Sequence, residues 1–421
     1  MTIIREHAGG GVPDHASRIK GLRVALFSGN YNCVRDGANQ ALNRLVAFLE
    51  RAGADVRVFS PTSDTPAFEP AGKLTSVPSI SIPKRREYRL AAPLPRGIKA
   101  QLKAFRPDII QISAPDILGC SAMNFANREG IPAVASVHTR FDTYFQYYGL
   151  AVLEGLVRRY MTWLYNRCQQ VYVPSQCMAD ILTDGGVRSD VRFWSRGVEH
   201  DVFNPARRDL SWRQSIGIED DEVAVSFVGR VVMEKNLSAF ADAIDSLQGK
   251  GLKFRPLIIG DGPARGWFEE RLQNGIFTGA LYGADLARAF ASSDIFFNPS
   301  VTEAFGNVNL EALASGVPVV AARASGASSI IEDGVTGLLV DPKANGFGSA
   351  LEQLIRNEDQ RRQMSEAGVN ASYRYRWDEI LNEVAGHYLA AIASFRSKTV
   401  KPPSLQGYVP ELFEGSSGVS Q

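Results

Sequence analysis

Short apolar runs recur along this chain, each followed by a segment of helix length, and they do so in two separate series. Residues 23–28, 55–60, 109–112, 133–137 and 171–174 form the first series, with Leu42, Leu45, Val46 and Leu49 at helical spacing over 39–52. Short apolar strands separated by helices pair most readily as a parallel sheet covered on both faces by its crossovers. The pattern pauses at 202–208 and restarts with 223–228, then 256–260, 275–277, 295–297, 317–321 and 337–340. The expected fold is α/β, with two Rossmann-like, doubly wound parallel-sheet domains facing a cleft. Ligands of such sheets bind at the carboxyl ends of the strands.

Domain boundaries follow from the same pattern. Residues 1–20, with Gly9, Gly10 and Gly11 and no periodicity, read as a flexible leader. The first domain is expected over 21–204 and the second over 205–376, opening with a polar, proline-containing linker at 205–220. A final helix over 377–398 and a flexible tail over 399–421 complete the chain. Hydrophobic residues at 45% and charged ones at 22% are those of a soluble globular protein. No apolar run reaches transmembrane length, and the start lacks the apolar core of a signal peptide. Cys33, Cys120, Cys168 and Cys177 form no C-x-x-C pair, so no zinc or disulfide scaffold is indicated. A cytoplasmic location is expected.

Net charge is +1, but residues 1–204 carry 25 Lys and Arg against 18 Asp and Glu, while the remainder carries 21 against 27. A basic half joined to an acidic half suggests that the first domain meets something anionic.

The chemistry is concentrated in the second series. After the strand at 295–297 comes a loop with Glu303, then Gly306 at a helix start and Glu311 eight positions after the first carboxylate. A helix N-terminus offers free N–H groups and a positive dipole end, a seat for phosphate. Carboxylates accept from hydroxyls and repel phosphate, so the pair suggests polyols flanking a phosphate, as in a nucleotide sugar. After the strand at 223–228 come Gly229, Arg230 and Lys235. Arg supplies a planar fork for phosphate oxygens and Lys a compact point charge. Gly260-Asp261-Gly262 follows another strand, but the third glycine of a dinucleotide fingerprint is missing.

These segments resemble the E-x7-E and G-R-x4-K elements of retaining glycosyltransferases of family 4, which have the two-domain GT-B fold. The resemblance covers about residues 21–395 and extends through 293–321. It implies that the first domain is acceptor-side and the second binds the nucleotide sugar. By that resemblance Arg230 and Lys235 neutralise the leaving diphosphate, Glu311 accepts from ribose hydroxyls and Glu303 contacts the transferred sugar. Phe305, Gly306 and Asn307 present backbone amides, and Gly229 and Gly260 lie at the donor. His138, in a pattern similar to the family's H-T-x-F/Y-x-x-Y element, is implied to lie near the anomeric carbon. Only Gly37, behind Asp36, remains of the paired glycines usual in the first loop, and it is expected to approach the diphosphate. The segment 191–205, with Arg196 and Glu199, resembles that of mannosyl- and sulfoquinovosyl-transferring members. The last helix is expected to cross back to the first domain.

No D-x-D triplet occurs, so no metal and no other cofactor is expected, the cations standing where a metal would. Retention without an evident nucleophilic carboxylate favours front-face displacement, in which the leaving phosphate oxygen takes the acceptor proton.

Basic residues crowd 84–106, from Lys84, Arg85 and Arg86 to Lys103 and Arg106, with Ile98, Leu102 and Phe105 on one helical face between charges. Such a helix lies on an anionic bilayer or packs its apolar face on the sheet. The partners expected are a nucleotide-diphosphate sugar (GDP-mannose or a UDP-hexose or hexuronate) and a lipid acceptor at the inner membrane face, with no nucleic acid. A soluble glycan acceptor is the main rival. An NAD-dependent oxidoreductase is opposed by the missing G-x-G-x-x-G, and a sugar-nucleotide-binding protein without turnover by the complete motifs.

Overall fold

In the computed structural model of the chain, residues 13–34, 36–82, 85–137, 154–303, 305–324 and 326–399 are described, without the side chains of 85–87, 154 and 399. His138 and the tail at 400–421 lie outside these residues, as do the first 12 of the leader.

The first domain opens with β1 (Arg23–Phe27), α1 (Gly37–Arg51), β2 (Asp55–Ser60) and β3 (Lys73–Ser76). A hairpin follows, β4 (Ser79–Ile82) and β5 (Arg85–Ala91), then α2 (Arg96–Phe105), β6 (Ile109–Ile112), α3 (Ile117–Glu129) and β7 (Ala133–Ser136). It closes with α4 (Glu154–Tyr165), β8 (Gln170–Val173), α5 (Gln176–Asp184) and β9 (Asp190–Phe193). Seven strands pair in the order β3-β2-β1-β6-β7-β8-β9, and β4 and β5 pair with each other antiparallel. The seven are all parallel, which requires a crossover between each neighbouring pair.

The second domain contains α6 (Leu210–Ser215), β10 (Val223–Val228), α7 (Leu237–Asp245), β11 (Phe254–Ile259), α8 (Arg265–Arg271), β12 (Ile276–Gly279) and α9 (Gly283–Ala291). It continues with β13 (Ile295–Asn298), α10 (Asn307–Ala314), β14 (Val319–Ala322), β15 (Gly337–Val340), α11 (Phe347–Arg356) and α12 (Glu358–Ser372). Its sheet runs β12-β11-β10-β13-β14-β15, again parallel. The segment 205–220 packs on this domain rather than spanning a gap, because Arg213 is buried and bonds Asp294 at 2.8 Å.

Each sheet is covered on both faces. On one face of the first, α1 lays down Leu42, Leu45, Val46 and Leu49, all buried. Each such side chain contributes about 2 kcal/mol by leaving water. Asp36 caps the helix, its carboxylate accepting from the Asn39 N–H at 2.7 Å.

The last helix, α13 (Trp377–Thr399), packs on α1 through Leu381, Val384, Ala385 and Tyr388. The Tyr388 hydroxyl donates to Gln111 of β6. Residues 13–20, read in sequence as part of a loose leader, are held here too. Asn382 accepts from the N–H groups of His15 and Ala16 at 2.9 Å each, and Ile19 is fully buried. A polar, glycine-rich start hid that anchor, because one apolar residue makes no periodicity.

On the opposite face Ile98, Leu102 and Phe105 of α2 enter the core. Of the two readings of this helix, the structure takes the sheet and corrects the bilayer reading for α2. The helix uses its apolar face on the sheet, and residues 85–91 form a strand.

Candidate functional site

Both sheets reverse winding direction at their first strand. β1 lies between β2 and β6, and β10 between β11 and β13, so each domain has a crevice at the carboxyl end of that strand. Val225 pairs with Ile295 across the second crevice. That register brings the loop after β10, carrying Arg230 and Lys235, against the loop after β13, carrying Glu303.

Lys235 Nζ lies 2.6 Å from Glu303 Oε1, with the carboxylate largely buried. Asn236, the next residue, adopts a left-handed conformation (φ 59°), and its Nδ2 donates to the Pro299 carbonyl at 3.2 Å. This bond ties one loop to the other. It is a feature that sequence reasoning missed, although Asn is among the few residues that tolerate such a backbone. Arg230 is exposed and makes no side-chain hydrogen bond or ion pair among the described residues.

Gly306 precedes α10 at φ 84°, and a Cβ there would lie 2.6 Å from Glu303 Oε2 and 2.7 Å from Asn309 Nδ2. Only glycine lets the helix start beside that carboxylate. No side chain caps α10, so its first N–H groups remain available to an anion. Asn309 is fully buried and its Oδ1 accepts from Asn298 Nδ2 at 2.9 Å, while its own Nδ2 has no partner among the described residues. Phe305 packs edge-on to Tyr375, centroids 6.0 Å apart.

The two glycines expected at the donor sit at strand ends, with their N–H groups already used. Gly229 donates to Ile259 at 3.0 Å and Gly260 to Gly279 at 2.9 Å. They shape the crevice rather than offer donors to it.

Glu311 stands on α10 one and a half turns inside. It retains some exposure, yet burial pushes its carboxyl up to about 8, opposed by Arg44 and reinforced by Glu199 and Glu303. Arg44 comes from α1 of the other domain, pairs with Glu199 and lies 5.0 Å over the Trp377 ring. Arg44 carried no motif, and the resemblance of 191–205 gave Glu199 no place beside Glu311. An arginine directly after the buried Asn43 on an amphipathic helix reads as surface.

Across the cleft Gly37 lies against the start of α10, since a Cβ there would be 2.9 Å from Asn307 Nδ2. The starts of α1 and α10 therefore meet. The α1 end is already compensated by Asp36, whose carboxyl is raised by burial and held back by the N–H groups of Asn39 and Ala38 and by Arg196. Burial pulls the Arg196 guanidinium down to about 10, against Asp36, so it remains charged at neutral pH.

The structure thus brings Gly37, Lys235, Glu303, Gly306, Asn307 and Glu311 to one cleft, with Arg230 in the loop that holds Lys235. His138 falls outside the described residues.

Comparison with known proteins matches residues 35–202 to the model of Glycosyltransferase Family 4 and residues 209–371 to that of Glycosyl transferases group 1. A GDP-mannose-dependent alpha-mannosyltransferase of Corynebacterium glutamicum is 30% identical over 89% of this chain and 90% of its own. A sulfoquinovosyl transferase of Arabidopsis thaliana is 30% identical over 92% and 77%. An alpha-monoglucosyldiacylglycerol synthase of Streptococcus pneumoniae is 27% identical over 80% and 79%. Among solved structures, Anabaena HepE in complex with UDP and glucose superposes with a TM-score of 0.69 at 18% identity, covering 88% of this chain and all of that one. With two parallel-sheet domains, a cleft at both switch points and these relatives, the chain belongs to glycosyltransferase family 4, with the GT-B fold.

Proposed function

We propose that this glycosyltransferase moves a hexosyl unit from a nucleotide-diphosphate sugar to a hydroxyl of a membrane lipid, retaining configuration to form an α-glycoside. The observation that carries the reading is the Lys235–Glu303 pair at the open end of α10, with Arg230 in the same loop. Cations and free N–H groups surround a space where negative charge develops as the sugar–phosphate bond breaks. Lys235 and Arg230 hold the diphosphate, Glu311 accepts from the ribose, and Glu303 orients the sugar while keeping Lys235 in place. The leaving oxygen takes the acceptor proton on the same face, and the protein supplies alignment and charge stabilisation. Two side-chain cations at the diphosphate support a reaction that needs no metal.

GDP-mannose or a UDP-hexose or hexuronate fits as donor, in keeping with the nucleotides named for the mannosyltransferase relative and the HepE complex. A lipid acceptor is supported by the name of the diacylglycerol glycosylating relative and by the basic first domain. No described helix is long and apolar enough to cross a membrane, so access from the inner face as a peripheral enzyme is the arrangement we favour.

The test is incubation with GDP-mannose and UDP-hexoses in the presence of diacylglycerol or dispersed membrane lipid, following nucleotide release and the anomeric configuration of the product. A chloroform-soluble α-glycoside is expected. Nucleotide release only with soluble glycans would replace the lipid by the rival acceptor, and no release with any donor would remove the activity.

A further inference from the structure

Beside the cleft one buried side-chain amide has hydrogens that nothing around it takes up. Asn309, in the first turn of α10, is fully buried, and its Nδ2 has no partner among the described residues. Its Oδ1 accepts from Asn298 Nδ2 at 2.9 Å. Buried donors are nearly always paired, and an exception calls for an explanation. Exchanging the oxygen and nitrogen of the amide does not supply one. Asn298, at the end of β13, accepts through its own Oδ1 from the Ser300 N–H at 3.2 Å, so its Nδ2 is a donor and needs an oxygen on Asn309. The chain from Ser300 through Asn298 thus fixes which way the Asn309 amide points.

It points toward the loop bearing Glu303. A Cβ on Gly306 would lie 2.7 Å from Asn309 Nδ2 and 2.6 Å from Glu303 Oε2, so amide and carboxylate flank the same point. Glycine leaves that point empty. The Asn309 N–H donates to the Gly306 carbonyl at 2.9 Å, which holds the start of α10 at this station. On its other oxygen Glu303 meets Lys235 at 2.6 Å, and its side chain is only 12% exposed.

Charge balance gives the amide its use. Lys235 is the cation assigned to the donor diphosphate, and an ammonium drawn to phosphate oxygens holds Glu303 less. A largely buried carboxylate that loses its cation needs another donor, because an uncompensated buried charge is costly. A neutral amide meets that need without adding a second cation to compete for the diphosphate. The last torsion of a glutamate is broad, so its carboxylate can turn.

We propose that Asn309 is a positioning residue for Glu303. When Lys235 engages the diphosphate, Asn309 Nδ2 donates to Glu303 Oε2 and keeps the carboxylate directed at the transferred sugar. Asn298 takes part by setting the direction of the amide. The proposal rests on the sugar-orienting role given to Glu303 above.

Full-length protein is titrated with GDP, GDP-mannose, UDP and UDP-glucose, and nucleotide release from the two sugar nucleotides is followed with dispersed membrane lipid. Asn309→Leu should lower kcat about tenfold or more and narrow the preference for a sugar nucleotide over its nucleotide diphosphate, with affinity for GDP or UDP within about twofold of wild type. In a Glu303→Gln background the same substitution should cost less than about twofold further, because residues that act through one another are not additive. Asn309→Asp keeps the oxygen that Asn298 requires and puts a second carboxyl beside Glu303. Protonated, that carboxyl donates in place of Nδ2, and ionised it repels Glu303, so kcat relative to wild type should rise as pH falls. Lys235 and Glu311 act on Glu303 in both proteins, so the ratio reads the introduced group alone. Should Asn309→Leu fail to fold, the pH profile of Asn309→Asp decides by itself. Equal losses in the two backgrounds, or a ratio that stays flat with pH, would overturn the proposal and leave Glu303 its role. Wild-type transfer by Glu303→Gln would instead remove that role, and the proposal with it.

Discussion

Lys235 Nζ and Glu303 Oε1 meet at 2.6 Å although 68 residues separate them in the chain. The pair exists because β10 and β13 are neighbours in the sheet, so the loops leaving them share one crevice. Its place beside the uncapped start of α10 makes it the centre of the proposed chemistry, and the predictions below start from it.

Arg230→Ala and Lys235→Ala should each lower turnover while leaving the fold intact. Losing a charge-assisted hydrogen bond costs about 1.5–3 kcal/mol, or roughly 10- to 150-fold in rate. Steady-state kinetics together with a melting curve check this. Wild-type rates in both variants would refute the diphosphate assignment.

The two carboxylates should separate by ligand. Glu311→Ala should weaken binding of the free nucleotide diphosphate, because the ribose remains in the product. Glu303→Ala should weaken that binding less, through the loss of its hold on Lys235, and mainly impair transfer. Calorimetric titration of GDP and UDP against each variant distinguishes the roles, and an equal loss in both would show them to be misassigned.

Glu311 also sets a pH dependence of stability. Its carboxyl is raised to about 8 in the folded protein from an ordinary value of 4.5. Between these values the folded state holds a proton that the unfolded chain has released, so stability falls as pH rises from about 4.5 through 8 and then levels off. Glu311→Gln removes the decline. The variant should match the wild type near pH 4.5 and exceed it above pH 8 by on the order of 5 kcal/mol, the 3.5 pH units between 4.5 and 8 at about 1.4 kcal/mol each, while binding nucleotide less well. Melting temperatures across this range test it, and parallel curves for the two proteins would exclude the mechanism.

Transfer should persist in excess EDTA, because Arg230 and Lys235 supply the positive charge at the diphosphate. Activity that vanishes with the chelator and returns only with manganese or magnesium would overturn the metal-free reading.

Much of the molecule was legible in the sequence because burial in a parallel sheet imposes a local pattern. Apolar runs marked the central strands, helical spacing marked α1, and Arg230, Lys235, Glu303 and Glu311 stood out as charges at the ends of such runs. Elements with weaker burial were not legible. β3, the β4–β5 hairpin and β9 are strands of only four to seven residues with at least as many polar as apolar positions, too short for a period to emerge. The stripe of Ile98, Leu102 and Phe105 was visible, but a stripe does not say whether a sheet or a bilayer covers it. The structure chose the sheet for α2 and left Ile80 and Leu90 outside. Contacts over long separation were likewise beyond sequence reasoning. Arg44 reaches Glu199, Asn382 holds the start of the chain, and Gly37 meets Asn307, each through crossovers that pair distant segments. Local residue patterns determined which elements form and which residues carry charge at their ends. Only the packing of the two sheets and α13 decided which of those charges face one another.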